Sequence, residues 1–250
     1  MNIFFINPPS DKKRIIRLID CSHEAKANYL WQPNDYMIMS SLLGNDDKAY
    51  LIDGTVDRMS KNEFLKRLNQ NVNPHLIIYA LSSVFWTSDL FYFNEIKKLF
   101  PNIPIYVIGD IFLEKEYQDY ILGQCEGIIS IPHIINFKKM AAKEKNIPGI
   151  QTEIDQIIHK NNTPIKVNNF GIPKHDIFLK SGYVFPFAQH KKFTTITSVW
   201  GCPFTCSYCT DSKIAPVIRD VDSVIKELEY IKKLNIKKLF FADKAFGYPY

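Results

Sequence analysis

Short apolar runs alternate with amphipathic stretches along the first half of the chain. Five apolar runs of four or five residues predict β-strands; they are Asn2–Ile6, Ala49–Ile52, Leu76–Ala80, Ile105–Ile108 and Gly127–Ser130. Four stretches with helical periodicity lie between them: Asp35–Leu43, Ser60–Asn69, Ser88–Phe100 and Glu114–Leu122. The second of these begins with a capping box formed by Ser60 and Glu63, which marks a helix start.

Strands that alternate with helices predict an α/β fold. We expect a doubly wound parallel five-stranded sheet over residues 1–140, with helices on both faces. In such sheets ligands bind beyond the carboxyl ends of the strands. The turns expected at that edge are Pro8-Pro9, Asp53-Gly54, Ser82-Ser83 and Gly109-Asp110.

The pattern changes after residue 130, where prolines become frequent and the regular alternation stops. We interpret residues 141–190 as a linker packed across two domains, with one helix near Thr152–Lys160. The last part, residues 191–250, begins another α/β unit. It contains the β-rich run Phe193–Val199, a cysteine-containing loop, an amphipathic helix over Asp220–Leu234 and a second strand over Lys238–Ala242.

Composition and charge exclude several classes of protein. The chain has 250 residues, of which 46% are hydrophobic and 23% charged, which is typical of a folded globular protein rather than a disordered one. No apolar stretch is long enough to span a membrane, and the N-terminus lacks the pattern of a signal peptide, so we expect a cytoplasmic protein. The net charge of +5 comes from scattered basic pairs, so we do not expect nucleic-acid binding.

Three of the five cysteines lie within eight residues. Cys202, Cys206 and Cys209 have the spacing C-x3-C-x2-C, which at this cysteine frequency arises by chance roughly 0.002 times per chain. A structural zinc site would need a fourth ligand, and the nearest histidine, His190, precedes the strand before the loop. Three thiolates instead suit a 4Fe-4S cluster with one iron left open. The spacing therefore favours an iron–sulfur site that binds a further ligand.

The loop sequence Cys202-Pro-Phe-Thr-Cys206-Ser-Tyr-Cys209 resembles the signature of the radical S-adenosylmethionine superfamily. Its context, with Thr195-Ile-Thr-Ser198 before the loop and Phe240-Phe-Ala-Asp243 after it, is similar to the branch that carries an N-terminal cobalamin-binding-type, flavodoxin-like domain. This resemblance implies a cluster whose open iron binds S-adenosylmethionine and cleaves it reductively to a 5′-deoxyadenosyl radical. It also implies a small-molecule substrate and an electron donor such as flavodoxin or ferredoxin.

The resemblance assigns roles to five residues. Cys202, Cys206 and Cys209 would be the cluster ligands, Tyr208 would pack near the adenine of S-adenosylmethionine, and Asp243 would contact its amino end. Each of the last two has an alternative interpretation. Tyr208 could fill an interface between domains, and Asp243 could be a buried cap or turn residue.

Two departures from the branch leave the function open. The cobalamin motif D-x-H-x-x-G is absent, and Gly109-Asp110 stands where the branch has Gly-Gly, so the resemblance leaves open whether cobalamin binds, for methyl transfer or related chemistry. Only 58 residues follow Lys192, fewer than a (β/α) barrel needs. We therefore expect only the start of a barrel. The alternative to a catalyst is a noncatalytic iron–sulfur module, or half of a split enzyme whose barrel a second chain completes.

Overall fold

A computed structural model describes residues 1–27, 29–69, 72–154, 165–167, 171–187 and 192–248 of the chain. Its strands are β1 (Asn2–Asn7), β2 (Ile15–Ile16), β3 (His23–Glu24), β4 (Lys48–Asp53), β5 (Leu76–Ala80), β6 (Ile105–Ile108), β7 (Gly127–Ile129), β8 (Ile150–Gln151), β9 (Ile165–Val167), β10 (Thr194–Ile196), β11 (Val199–Trp200), β12 (Val217–Arg219) and β13 (Leu239–Phe241). Its α-helices are α1 (Asn34–Ser40), α2 (Lys61–Leu68), α3 (Trp86–Leu99), α4 (Lys115–Leu122), α5 (Phe137–Ala141) and α6 (Val221–Lys233).

The main sheet has six strands in the order β4-β1-β5-β6-β7-β8. The five predicted strands are all present and pair in parallel, as expected for an α/β fold. The sixth strand, β8, is antiparallel to β7 and lies within the predicted linker. The sheet therefore has six strands rather than the predicted five, because a two-residue segment adds to its edge.

Apolar side chains cover both faces of this sheet. Alternate residues of β1 face opposite sides, so Phe5 belongs to one buried cluster and Phe4 to the other. The Phe5 cluster includes residues of α1 and α5, and the Phe4 cluster includes residues of α2, α3 and α4. Helix α2 begins as predicted, because Ser60 accepts a hydrogen bond from the Glu63 amide while the Glu63 carboxylate accepts one from the Ser60 amide at 2.8 Å.

The C-terminal part contains a second, smaller α/β unit. Strands β10 and β13 pair in parallel, with Thr194 opposite Leu239 and Ile196 opposite Phe241. Helix α6 connects them and packs Ile231 against Ile196. The predicted run Phe193–Val199 divides into β10 and β11, and β12, which was not predicted, pairs antiparallel with β11 and parallel with β9.

The connecting segment, which includes residues 171–187, contacts both units, and its His175 Nδ1 lies 2.6 Å from Thr194 Oγ1 on β10 of the C-terminal unit. Phe178 is completely buried in the same cluster as Phe5, and the Lys174 amide donates a hydrogen bond to Ser40 Oγ at 2.9 Å. Most of the predicted helix Thr152–Lys160 lies outside the described residues. Among the residues that the structure describes, no helix is both long and apolar enough to cross a membrane.

Candidate functional site

The cysteine loop connects two short antiparallel strands. It leaves β11 at Trp200 and returns to β12 at Val217, and these two residues are paired. Gly201 begins the loop with a φ of +78°, and a Cβ at this position would lie 2.4 Å from the Ala215 carbonyl oxygen. Glycine is therefore required here, both for its backbone conformation and for the close approach of the two chain segments.

The three cysteines differ in exposure. Cys202 is buried, and its amide donates a hydrogen bond to the Ile214 carbonyl at 3.3 Å. Cys206 is exposed and Cys209 is intermediate, and the Cys209 amide donates to the Cys206 carbonyl at 3.2 Å. In the described part of the chain, no three His, Cys, Asp or Glu side chains converge into a metal site. The loop thus supplies three thiols on one short turn without gathering them around a common point.

Tyr208 lies on the outside of this loop. Its side chain is 90% exposed, and so the structure places it at the surface rather than between domains. Packing against an adenine ring stays a prediction. The exposed aromatic ring is available to cover a ligand bound at the loop.

Asp243 follows β13 and reaches back to the residue before β11. Its carboxylate accepts hydrogen bonds from the Ser198 amide, at 2.7 Å, and from the Ser198 hydroxyl. Burial raises the pKa of Asp243, and the Ser198 hydrogen bonds partly oppose that rise. Asp243 therefore holds the start of the cysteine-loop hairpin to the end of β13 and also lines the adjacent cavity.

A cavity of about 340 Å³ lies beside the loop, between residues 18–35 of the N-terminal unit and the C-terminal unit. Trp200, Gly201 and Asp243 contribute to one wall, and Trp31 and Asp35 to the other. Asp35 is buried; its carboxylate accepts hydrogen bonds from the Ile19 amide at 2.8 Å and from Trp200 Nε1 at 3.4 Å. Burial, with the nearby charge of Asp20, raises the pKa of Asp35 to about 7.

A charged group joins the two units at the edge of this cavity. Lys244 Nζ lies 2.7 Å from Asp20 and 3.5 Å from Asp211, two residues after Cys209. Burial and the neighbouring Asp20 raise the pKa of Asp211 to about 6. The lysine therefore links the N-terminal unit to the cysteine loop.

Sequence reasoning missed Asp20, Asp35 and Lys244. Asp35 was interpreted only as the beginning of a helix, and Asp20 and Lys244 are 224 positions apart in the chain. The local indication in the sequence is that Lys244 directly follows the predicted site residue Asp243.

Comparisons with known proteins give a consistent fold. No protein-family model matches the sequence, and no curated protein matches it. The radical S-adenosylmethionine methyltransferase TsrM from Kitasatospora setae, solved with tryptophan and an S-adenosylmethionine analogue, superposes with a TM-score of 0.65 at 13% identity. The match covers 99% of this chain and 48% of TsrM. The chain therefore shares the fold of about half of this enzyme.

Two further structures agree with this result. TsrM with cobalamin and a [4Fe-4S] cluster superposes with a TM-score of 0.62 at 13% identity, over 98% of this chain and 48% of TsrM. The cobalamin-dependent S-adenosylmethionine radical enzyme OxsB, solved with aqua-cobalamin and S-adenosylmethionine, gives 0.60 at 18% identity, over 98% of this chain and 34% of OxsB. The chain thus spans half or less of the length of these enzymes.

Proposed function

We propose that this chain is the cofactor-binding part of a radical S-adenosylmethionine protein, with a 4Fe-4S cluster held by Cys202, Cys206 and Cys209. The observation that carries the proposal is a loop with three thiols that adjoins a cavity, in a chain with the fold of radical S-adenosylmethionine enzymes. Three cysteine thiolates fit a 4Fe-4S cluster that keeps one iron for another ligand. When bound, the cluster would supply the electron that cleaves S-adenosylmethionine to a 5′-deoxyadenosyl radical.

The residues around the loop would bind and orient the cofactor. Asp243 supplies a carboxylate suited to the ammonium group of S-adenosylmethionine, while Ser198 holds that carboxylate in place. Tyr208 would cover the bound adenine from the exposed side of the loop. Trp200 and Trp31 contribute apolar surface to the cavity in which the radical would form.

Metal analysis of single-cysteine variants tests the cluster assignment. After anaerobic reconstitution, the wild-type chain should hold about four irons and as many acid-labile sulfides. Cys202→Ala, Cys206→Ala and Cys209→Ala should each lose most of both. Cys125→Ala is the matched control, because this thiol lies in the N-terminal unit and donates to the Gly127 carbonyl at 3.6 Å. Equal iron in all four variants would contradict the proposal.

A noncatalytic iron–sulfur module is the second candidate function. In the described chain, β13 pairs with β10 alone, and Leu239 and Phe246 nearby are 38% and 66% exposed. The enzymes of similar fold are at least twice as long. Formation of 5′-deoxyadenosine under a chemical reductant separates the two candidates. Turnover supports a catalyst, while a cluster without cleavage supports a module that needs further barrel strands, such as those of a second chain.

A further inference from the structure

The edge of the main sheet where ligands bind is covered by the protein itself. Strand β1 lies between β4 and β5, so the direction of winding reverses at β1, and the crevice beyond its carboxyl end is the expected ligand position. Residues 15–22, which we name the cover segment, run across this edge. Ile16, Leu18 and Ile19 of the cover segment are buried in the same cluster as Phe5.

Arg17 of the cover segment fills the crevice beside β1 and β5. Its guanidinium donates to Asp89 from Nε at 3.0 Å and from Nη2 at 2.7 Å, and to Thr55 Oγ1 from Nη1 at 2.9 Å. Asp89 also accepts hydrogen bonds from the amide and the hydroxyl of Ser82, at 2.9 and 2.7 Å. Both charged side chains are fully buried, and only about 10 Å³ of free space remains next to Arg17. That space is about the size of one water molecule.

Asp110 closes the next crevice, between β5 and β6. Its carboxylate accepts hydrogen bonds from the Ser83 amide at 3.0 Å, the Ser83 hydroxyl at 2.7 Å and the Ser22 amide at 2.8 Å. The last of these ties the end of the cover segment to the sheet. The Asp110 carboxylate of the Gly109-Asp110 turn is therefore occupied by hydrogen bonds within the chain. A Gly-Gly turn at this position would lack this side chain and would leave room for a ligand.

The two cavities described near this sheet edge are too small for a corrinoid. The cavity between the two units is about 340 Å³, and the apolar pocket beside Gly109 and Ser130 is about 30 Å³. Pockets of roughly 300–1,000 Å³ suit drug-sized molecules. A corrin ring with its nucleotide tail is larger than such a molecule. Binding would also separate Arg17 from Asp89 and leave a buried charge without its partner.

We infer that this chain does not bind cobalamin, because the cover segment occupies the sheet edge that would receive it. The N-terminal unit instead acts as a scaffold: the cover segment rests on Asp89 and Asp110 and presents Asp20 to Lys244 beside the cysteine loop. The inference concerns the N-terminal unit and does not depend on the cluster proposal.

Cobalt retention tests this inference. The anaerobically reconstituted chain is mixed with hydroxocobalamin and passed through gel filtration, with a known cobalamin-binding protein in parallel. We expect cobalt at background in the protein peak and a circular dichroism spectrum of a folded α/β protein. Cobalt retained near one per chain would overturn the inference. Iron is measured on the same fractions, so loss of the cluster and binding of cobalamin are read separately.

Hydrogen exchange gives a second measurement that needs no variant. The amides of Ser22 and Ser82 donate to Asp110 and Asp89. We expect both amides to exchange slowly, at rates that hydroxocobalamin does not change. Exchange of either amide as fast as in an unstructured peptide would show that the edge is open and would overturn the inference.

Discussion

His175 and Glu227 form a completely buried hydrogen bond between the connecting segment and helix α6. His175 Nε2 lies 2.8 Å from Glu227 Oε1, and His175 Nδ1 lies 2.6 Å from Thr194 Oγ1 on β10. The other oxygen of Glu227 accepts a hydrogen bond from Arg219 Nη1 on β12. This carboxylate therefore joins the connecting segment, helix α6 and strand β12 in a buried region, where each hydrogen bond has a large energetic effect.

Neutralising Glu227 should destabilise the protein. Glu227→Gln keeps the shape of the side chain but removes the charge that balances Arg219, so we expect the free energy of unfolding to fall by about 3–5 kcal/mol. Urea denaturation measures this change. Glu229→Gln is the control, because Glu229 is exposed on the same helix, and it should change stability by less than about 0.5 kcal/mol. Similar losses in the two variants would contradict the assignment.

Asp35 should make stability depend on pH. Its pKa is raised from 3.8 to about 7 in the folded state, so the unfolded chain loses this proton at lower pH than the folded chain does. The contribution of Asp35 is therefore fully present below pH 3.8 and is lost as the pH rises through 7. Asp35→Asn removes this titration. Between pH 3.8 and about pH 7, the free energy of unfolding of Asp35→Asn minus that of the wild type should rise by up to about 1.4 kcal/mol per pH unit.

Urea denaturation at pH 5 and pH 8 checks the Asp35 prediction. Asp119→Asn is the control, because Asp119 is an exposed carboxylate on α4. A difference between Asp35→Asn and wild type that stays constant with pH would show that Asp35 titrates normally.

Substitution of Gly201 by alanine should destabilise the cysteine loop. Gly201→Ala places a Cβ 2.4 Å from the Ala215 carbonyl oxygen at a φ of +78°, so we expect a loss of about 1–3 kcal/mol in stability and reduced iron incorporation. Gly123→Ala is the matched control. Gly123 has a φ of −75°, and no atom outside its neighbours lies within 4 Å of the added Cβ. Thermal unfolding and iron content should be unchanged there, and equal effects in both variants would refute the close contact.

The strands and helices that were predicted correctly are those whose own residues form a clear apolar or amphipathic pattern. Strands β5 and β6 have the predicted bounds, because Leu76–Ala80 and Ile105–Ile108 are apolar runs between turn residues. Strands β8 and β12 were missed. They have two and three residues, and pairing with distant segments rather than local pattern makes them strands.

The cysteine motif was found from spacing alone, but its surroundings were not. The Arg17–Asp89 pair spans 72 positions, and the hydrogen bond from Ser22 to Asp110 spans 88. Contacts at such separations depend on the sheet order, which the periodicity of one chain does not specify. The covered sheet edge is therefore a result of the tertiary structure.

Electron paramagnetic resonance of the reduced, reconstituted chain tests whether Cys202, Cys206 and Cys209 hold a cluster that binds S-adenosylmethionine. Spectra are recorded with and without S-adenosylmethionine, on wild type and on the triple variant Cys202→Ala, Cys206→Ala, Cys209→Ala. We expect a 4Fe-4S signal in wild type whose g values shift when S-adenosylmethionine is added, and no such signal in the triple variant. A wild-type chain without a cluster, or one whose spectrum does not change with S-adenosylmethionine, would contradict the proposed function.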